Sequence, residues 1–205
     1  MNSAEADSTL ITFEEIPGTD VKTVHPWRRY FARMFDISLF SVIAMALLSF
    51  IGYVLAPERT DEMLVLVAEG WTGKLLGGVA GVLLALPGIA ILQSLVGTPG
   101  KWLFGIKVRS AAGQRLGMAN SFHREILVAS KGMAFGIPIA SAILMIVSYT
   151  RLTDHRETSW DKQLGTRVTY APMSVVGYIK AGVGGCLVIA LMLYEALLSI
   201  MPSVG

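Results

Sequence analysis

Residues 36–55, DISLFSVIAMALLSFIGYVL, contain one charged side chain, Asp36. A run this long and this apolar is enough to cross a bilayer as a helix. Lipid offers no hydrogen-bond partners, so a spanning segment must satisfy its own backbone. That confines such a chain to helices or a closed barrel, and the unbroken apolar run selects the helix. Two further runs are long enough to span, LLGGVAGVLLALPGIAILQSLV at 75–96 and the stretch from about Val175 to Met201. The second should kink at Pro87. Charged residues make up 16% of the chain, against about 25% in soluble domains. These features predict a mainly α, polytopic membrane protein.

The boundaries carry most of the remaining information. In PWRRYFARMF, Trp27, Tyr30, Phe31, Met34 and Phe35 fall on one helical stripe. This predicts an amphipathic helix from Pro26 that continues into the first span and stops at Pro57. Gly73, Gly77 and Gly81 recur every fourth residue, which predicts tight helix–helix packing. LFGIKVRS and QRLGM, joined by AAG, read as a short hairpin. Residues 1–25 hold Glu5, Asp7, Glu14, Glu15 and Asp20 without an apolar core, and are expected to form a flexible acidic cytoplasmic tail. The first span should act as an uncleaved anchor.

Positive charge sets orientation. Lys22, Arg28, Arg29 and Arg33 precede the first span, which places the amino terminus in the cytoplasm. The segment 126–150, ILVASKGMAFGIPIASAILMIVSYT, conflicts with this if it crosses fully. Arg151, Arg156, Lys162 and Arg167 would then lie outside. A re-entrant or interfacial helical hairpin, broken at Gly136–Pro138, removes the conflict; the alternative is a full span that overrides the charge bias. The hairpin brings GIKVRS and GTRVTY into one compartment, where they can pair in a small cytoplasmic β-sheet. The expected fold is therefore three full transmembrane helices, the hairpin and that sheet, in the cytoplasmic (inner) membrane.

Four blocks, RRYFARMFD, GTPGKWLFGIKV, HREILVASK and WDKQLGTRVTY, resemble the RDD family of bacterial membrane proteins. The resemblance covers about residues 26–171 as a membrane domain and leaves 172–205 as an additional helix. It maps the family arginine to Arg33 and the two aspartates to Asp36 and Asp161. Where the family commonly has His-Asp, this chain has Trp160-Asp161. The resemblance also implies cation/proton antiport as an activity, with a monovalent cation and a proton as partners.

Arg33 and Asp36 are i, i+3 neighbours, and Arg29 shares their face. Asp161 is expected to complete an Asp-Arg-Asp cluster at the inner interface, with Arg29, Arg124, Glu125 and Lys131 supporting it. The cluster has two readings. In one, Arg33 clamps the carboxylates and organises the fold, or assists a partner membrane protein. In the other, Asp36 and Asp161 exchange a cation for a proton. A permanently charged arginine beside a carboxylate favours its ionised form and opposes the second reading. The histidines, His25, His123 and His155, show no metal-ligand spacing, so neither metal nor cofactor is expected, and no enzymatic constellation is present. The net charge of +2 gives no sign of nucleic-acid binding. Expected partners are the bilayer and its anionic headgroups, together with another membrane protein or a second copy.

Overall fold

The computed structural model describes residues 24–172 and 174–200. The described residues are mainly helical, with one two-stranded antiparallel sheet. Helix α1, Pro26–Leu55, starts with Pro26 in its first turn, where proline's missing N–H costs nothing. It runs without a break from the aromatic stripe into the apolar run, roughly 45 Å at 1.5 Å per residue. Ala56 closes it with an N–H to the Gly52 carbonyl at 2.7 Å.

Pro57, expected only to stop the first helix, also opens a second, α2, Pro57–Ala68. Pro57 in the first turn and Glu58 at the positive helix end both favour a start there. Helix α3, Gly70–Leu95, continues through Pro87. The glycine stripe is used inside the chain. A Cβ at Gly73 would meet the Leu66 carbonyl of α2 at 2.3 Å, and one at Gly88 would meet the Phe40 ring of α1 at 2.5 Å. Ser41 donates across the same contact to the Gly81 carbonyl at 2.8 Å.

The short helix α4, Pro99–Leu103, leads into β1, Ile106–Ser110. The expected hairpin partner QRLGM does not form a strand. Instead the chain turns at Gly113, which has φ +76, and closes on Ser110 by two bonds, Ser110 N–H to Gln114 O and Gly113 N–H to Ser110 O, each 2.9 Å. The partner of β1 is β2, Thr166–Tyr170, with Ile106 opposite Tyr170 and Ser110 opposite Thr166. The pairing of GIKVRS with GTRVTY is therefore as expected.

Helix α5, Met118–Met133, and α6, Pro138–His155, pack against each other across a turn at Ala134–Gly136. The break is backbone-encoded: Ala134, Phe135 and Gly136 all take positive φ, and Pro138 restarts the helix. Both arms extend beyond the apolar segment 126–150, α5 at its start and α6 at its end. Helix α7, Ser159–Leu164, precedes β2, and α8, Val175–Ile200, packs on α1 and α4. Gly184 lets α8 approach Phe104 closely.

One apolar core joins α1, α3 and α5 through Ile37, Ala85, Leu86, Ile89, Ala129 and Met133. A second joins α1 to the sheet through Ala32, Phe104, Ile106, Val108 and Tyr170. The outer faces are apolar and bare; Phe50 is 68% exposed and Leu55 77%. Apolar surface on this scale marks a membrane face. Among the described residues, α1 and α3 are the two helices long and apolar enough to cross a bilayer. The expected acidic tail lies almost wholly outside the described residues.

Candidate functional site

The polar core lies where the amino-terminal part of α1 meets α4, α5, α7 and the sheet. Among the described residues it contains three buried carboxylates, two of which share Arg124.

Asp36 is fully buried. Its Oδ1 accepts the Gly100 N–H at 2.7 Å, and its Oδ2 accepts the Thr98 hydroxyl at 2.5 Å. Both donors come from the GTPGK turn entering α4. Gly100 is required by the close approach: a Cβ there would sit 2.2 Å from the Ala32 carbonyl and 2.8 Å from Asp36 Oδ1. Among the described residues no cation reaches Asp36 within ion-pair distance. The expected Arg33–Asp36 clamp is thus absent. Spacing by three puts both residues on one helical face, but the short aspartate turns to the α4 backbone while the long arginine reaches past it to α5.

Arg33 Nη1 pairs with Glu125 Oε2. Glu125 is fully buried, with Arg124 Nη1 at 3.5 Å and Lys101 Nζ at 3.8 Å from its other oxygen. Three cations from α1, α4 and α5 thus converge on one carboxylate. Burial by itself would raise the Glu125 pKa, but Arg33, Lys101 and Arg124 outweigh it and hold it down to about 2. Lys101 also donates to Gln93 Oε1 at 2.5 Å. Its burial lowers its own pKa to about 8 against the pull of Glu125.

Asp161 forms the third centre. Arg29 meets its Oδ2 at 2.8 Å and Arg124 its Oδ1 at 3.0 Å. The hydroxyls of Thr158 and Thr166 each donate at 2.8 Å. Burial opposes ionisation here too, but Arg124, Arg29 and the two hydroxyls prevail and lower its pKa. Thr158 is the N-cap of α7 and also accepts the Asp161 N–H. Trp160, at the family's histidine position, packs against Leu127, Val128 and Gly132 of α5. It fills space between α5 and α7 and supplies no proton carrier.

Arg124 bridges Glu125 and Asp161, so Arg29, Arg33, Arg124, Glu125 and Asp161 form one network. Lys131 stands apart; it is exposed and donates to Gln163 at 2.8 Å. Several members are absent from the sequence reading. Arg28 donates to the carbonyls of Phe104, Gly105 and Ala171, tying both strand ends to α1. Thr98, Lys101, Thr158 and Thr166 complete the shells. Of these, Thr158 had a local signal, the capping pattern TSWD.

Residues 23–165 match the sequence model of the RDD family, well over half of the chain. The chain belongs to the RDD family. The RDD match takes in Arg33, Asp36, Glu125 and Asp161, and stops just before β2. No curated protein and no solved structure matches the chain. Among the described residues no group of three or more His, Cys, Asp or Glu is placed to hold a metal.

Proposed function

We propose that this RDD protein is a non-enzymatic membrane module whose buried ion network organises its cytoplasmic face, a platform for itself or for a partner membrane protein. The convergence of Arg33, Lys101 and Arg124 on Glu125 carries this reading. Cations held by three elements around one buried carboxylate are suited to fixing an arrangement. They are poorly suited to a carboxylate that must repeatedly take a proton, because they favour its ionised form.

Acid unfolding tests the clasp. A carboxylate with a depressed folded pKa contributes stability that is present above its unfolded pKa and lost as pH falls through the folded one. For Glu125 that window runs from 4.5 down to about 2, and Asp161 shifts in the same direction. Thermal midpoints in detergent should hold from neutral pH to about 5 and fall steeply below it. A midpoint that already collapses above pH 6 would mean that the carboxylates are not ionised in their pairs.

In this reading α1, α3 and α8 span the inner membrane, the amino terminus is cytoplasmic, and α5–α6 forms a hairpin at the inner leaflet. Support comes from the basic residues near the sheet and from the outward apolar face of α6, where Ile139, Ile143 and Ile146 are exposed. Glu157 is exposed in the α6–α7 connection. In Cys186→Ala protein, Glu157→Cys should react with a membrane-impermeant maleimide only after the cytoplasmic side is opened. Labelling of intact spheroplasts would reject the hairpin.

A second reading, cation/proton exchange through Asp36, is favoured by one observation. Asp36 is buried against a hydroxyl and an amide, without a direct ion pair among the described residues. Of the three carboxylates it is the one whose contacts leave protonation least opposed.

A further inference from the structure

A cavity of about 590 Å³ opens between α1, α5 and α6 and reaches the polar network at its inner end. The volume is in the range of a single-ligand site. Its walls are apolar, with Met34, Val128, Met133, Met145, Ile146 and Leu152 among them. Its inner end is cationic, lined by Arg29, Arg33, Lys101 and Arg124. Those four cations stand near three buried carboxylates, Glu125 and Asp161 in ion pairs and Asp36 hydrogen-bonded to Thr98 and Gly100. Even with all three carboxylates ionised, these groups leave one positive charge unmatched among the described residues. Arg33 is the cation least satisfied: its Nε–H and Nη2–H are buried and have no acceptor among the described residues. Leaving donors of a charged group unpaired in a buried site is costly, and an anion brought to the cavity's inner end would relieve it.

The mouth identifies the source of that anion. Trp27 and Tyr149 line the cavity, their rings 6.3 Å apart, and Tyr30 sits edge-on to Trp27. Trp27 is 65% exposed and Ile146 likewise. Tryptophan and tyrosine at a helix end belong in the headgroup layer. The opening therefore faces lipid at headgroup depth, with apolar walls running inward to arginines.

We propose that this cavity is a binding site for one anionic phospholipid of the adjoining leaflet. Its phosphate sits at Arg33, Lys101 and Arg124, and one acyl chain lies along Met34, Met145 and Ile146. Guanidinium groups suit this role because their planar N–H pairs match phosphate oxygens. The site rests on the reading that α5–α6 lies in the interface. Binding is measured on purified protein, so it can fail independently of the labelling that reports sidedness.

Native mass spectrometry of the full-length protein in detergent, titrated with phosphatidylglycerol, is the direct test. Phosphatidylglycerol should be retained at least about tenfold better than phosphatidylcholine of the same chain length, a gap of about 1.4 kcal/mol. Arg33→Gln should erase that preference. Ala142 lines the cavity from an exposed position on α6, so Ala142→Trp fills the site without touching the network. It should lower phosphatidylglycerol retention about tenfold while leaving the lipid-free thermal midpoint unchanged. Equal retention of the two lipids would overturn the proposal. So would full displacement by equimolar inorganic phosphate, which would mark an anion site without a chain site, or unchanged retention in Ala142→Trp.

Discussion

Replacing Glu125 with glutamine should be among the most damaging single changes to this protein, costing about 3–5 kcal/mol, the range for removing one partner of a buried pair. Glu125 is fully buried and is the carboxylate on which Arg33, Lys101 and Arg124 all converge. Glutamine keeps the shape and one acceptor but removes the charge. Arg33 would then have no ion-pair partner in this network, since it does not reach Asp36 or Asp161. The loss should appear as a lower thermal midpoint and a smaller monodisperse peak after detergent extraction. Arg33→Gln combined with Glu125→Gln should recover part of it, because the double change removes an opposed pair instead of one partner. A wild-type midpoint in Glu125→Gln would mean that the convergence contributes nothing to the fold.

The second large effect is steric. Gly100→Ala adds a single methyl, yet that methyl has no room: the Ala32 carbonyl lies 2.2 Å from its position. Backbone cannot move aside as a flexible side-chain tip can. The α4 turn would have to lift off α1, which breaks the Gly100 N–H bond to Asp36 and loosens that from Thr98. Overpacking of about 1–3 kcal/mol and the loss of a hydrogen bond to a charged group at about 1.5–3 kcal/mol put the cost at about 2.5–6 kcal/mol. Gly78→Ala is the control. Nothing lies within 4 Å of its added methyl, and alanine is the better helix former, so it should be neutral or stabilise by up to about 1 kcal/mol. Similar midpoints for the two variants would show that the approach of α4 to α1 is looser than described.

The sequence made some of this legible and hid the rest for physical reasons. The strand pairing was readable from charge: the expectation that Arg151, Arg156, Lys162 and Arg167 share a side with the earlier basic residues requires the chain to double back, which allows 106–110 to pair with 166–170, as it does. The helix break was readable because glycine and proline punctuate the backbone directly. The local hairpin was misread because AAG supports a turn whether or not a strand follows it, and β1 found a longer-range partner. Helix α2 carries no helical stripe, because its charges fall in one block at 58–62 and its apolar residues in another at 63–68, and its start signal, Pro57, also reads as a stop for α1. The site residues were mostly named, but their pairing was not. Helical spacing fixes where a Cβ points and leaves open where a long side chain ends, so Arg33 was joined to Asp36 when its partner was Glu125. Lys101 had no local signal at all; its role exists only after α4 folds against α1.

Glu125 and Asp161 are both clasped by arginines, while among the described residues Asp36 is held by neutral donors alone. Whether the network only holds the fold or also moves protons therefore rests on Asp36. The decisive measurement is proton movement in proteoliposomes, read with an internal pH dye after an external pulse of sodium or potassium. Wild-type protein and Asp36→Asn should be compared after each is shown to be folded by its thermal midpoint. A structural clasp predicts no cation-dependent proton movement above protein-free vesicles in either. Proton movement driven by the cation pulse in wild type, and lost in an equally stable Asp36→Asn, would contradict it.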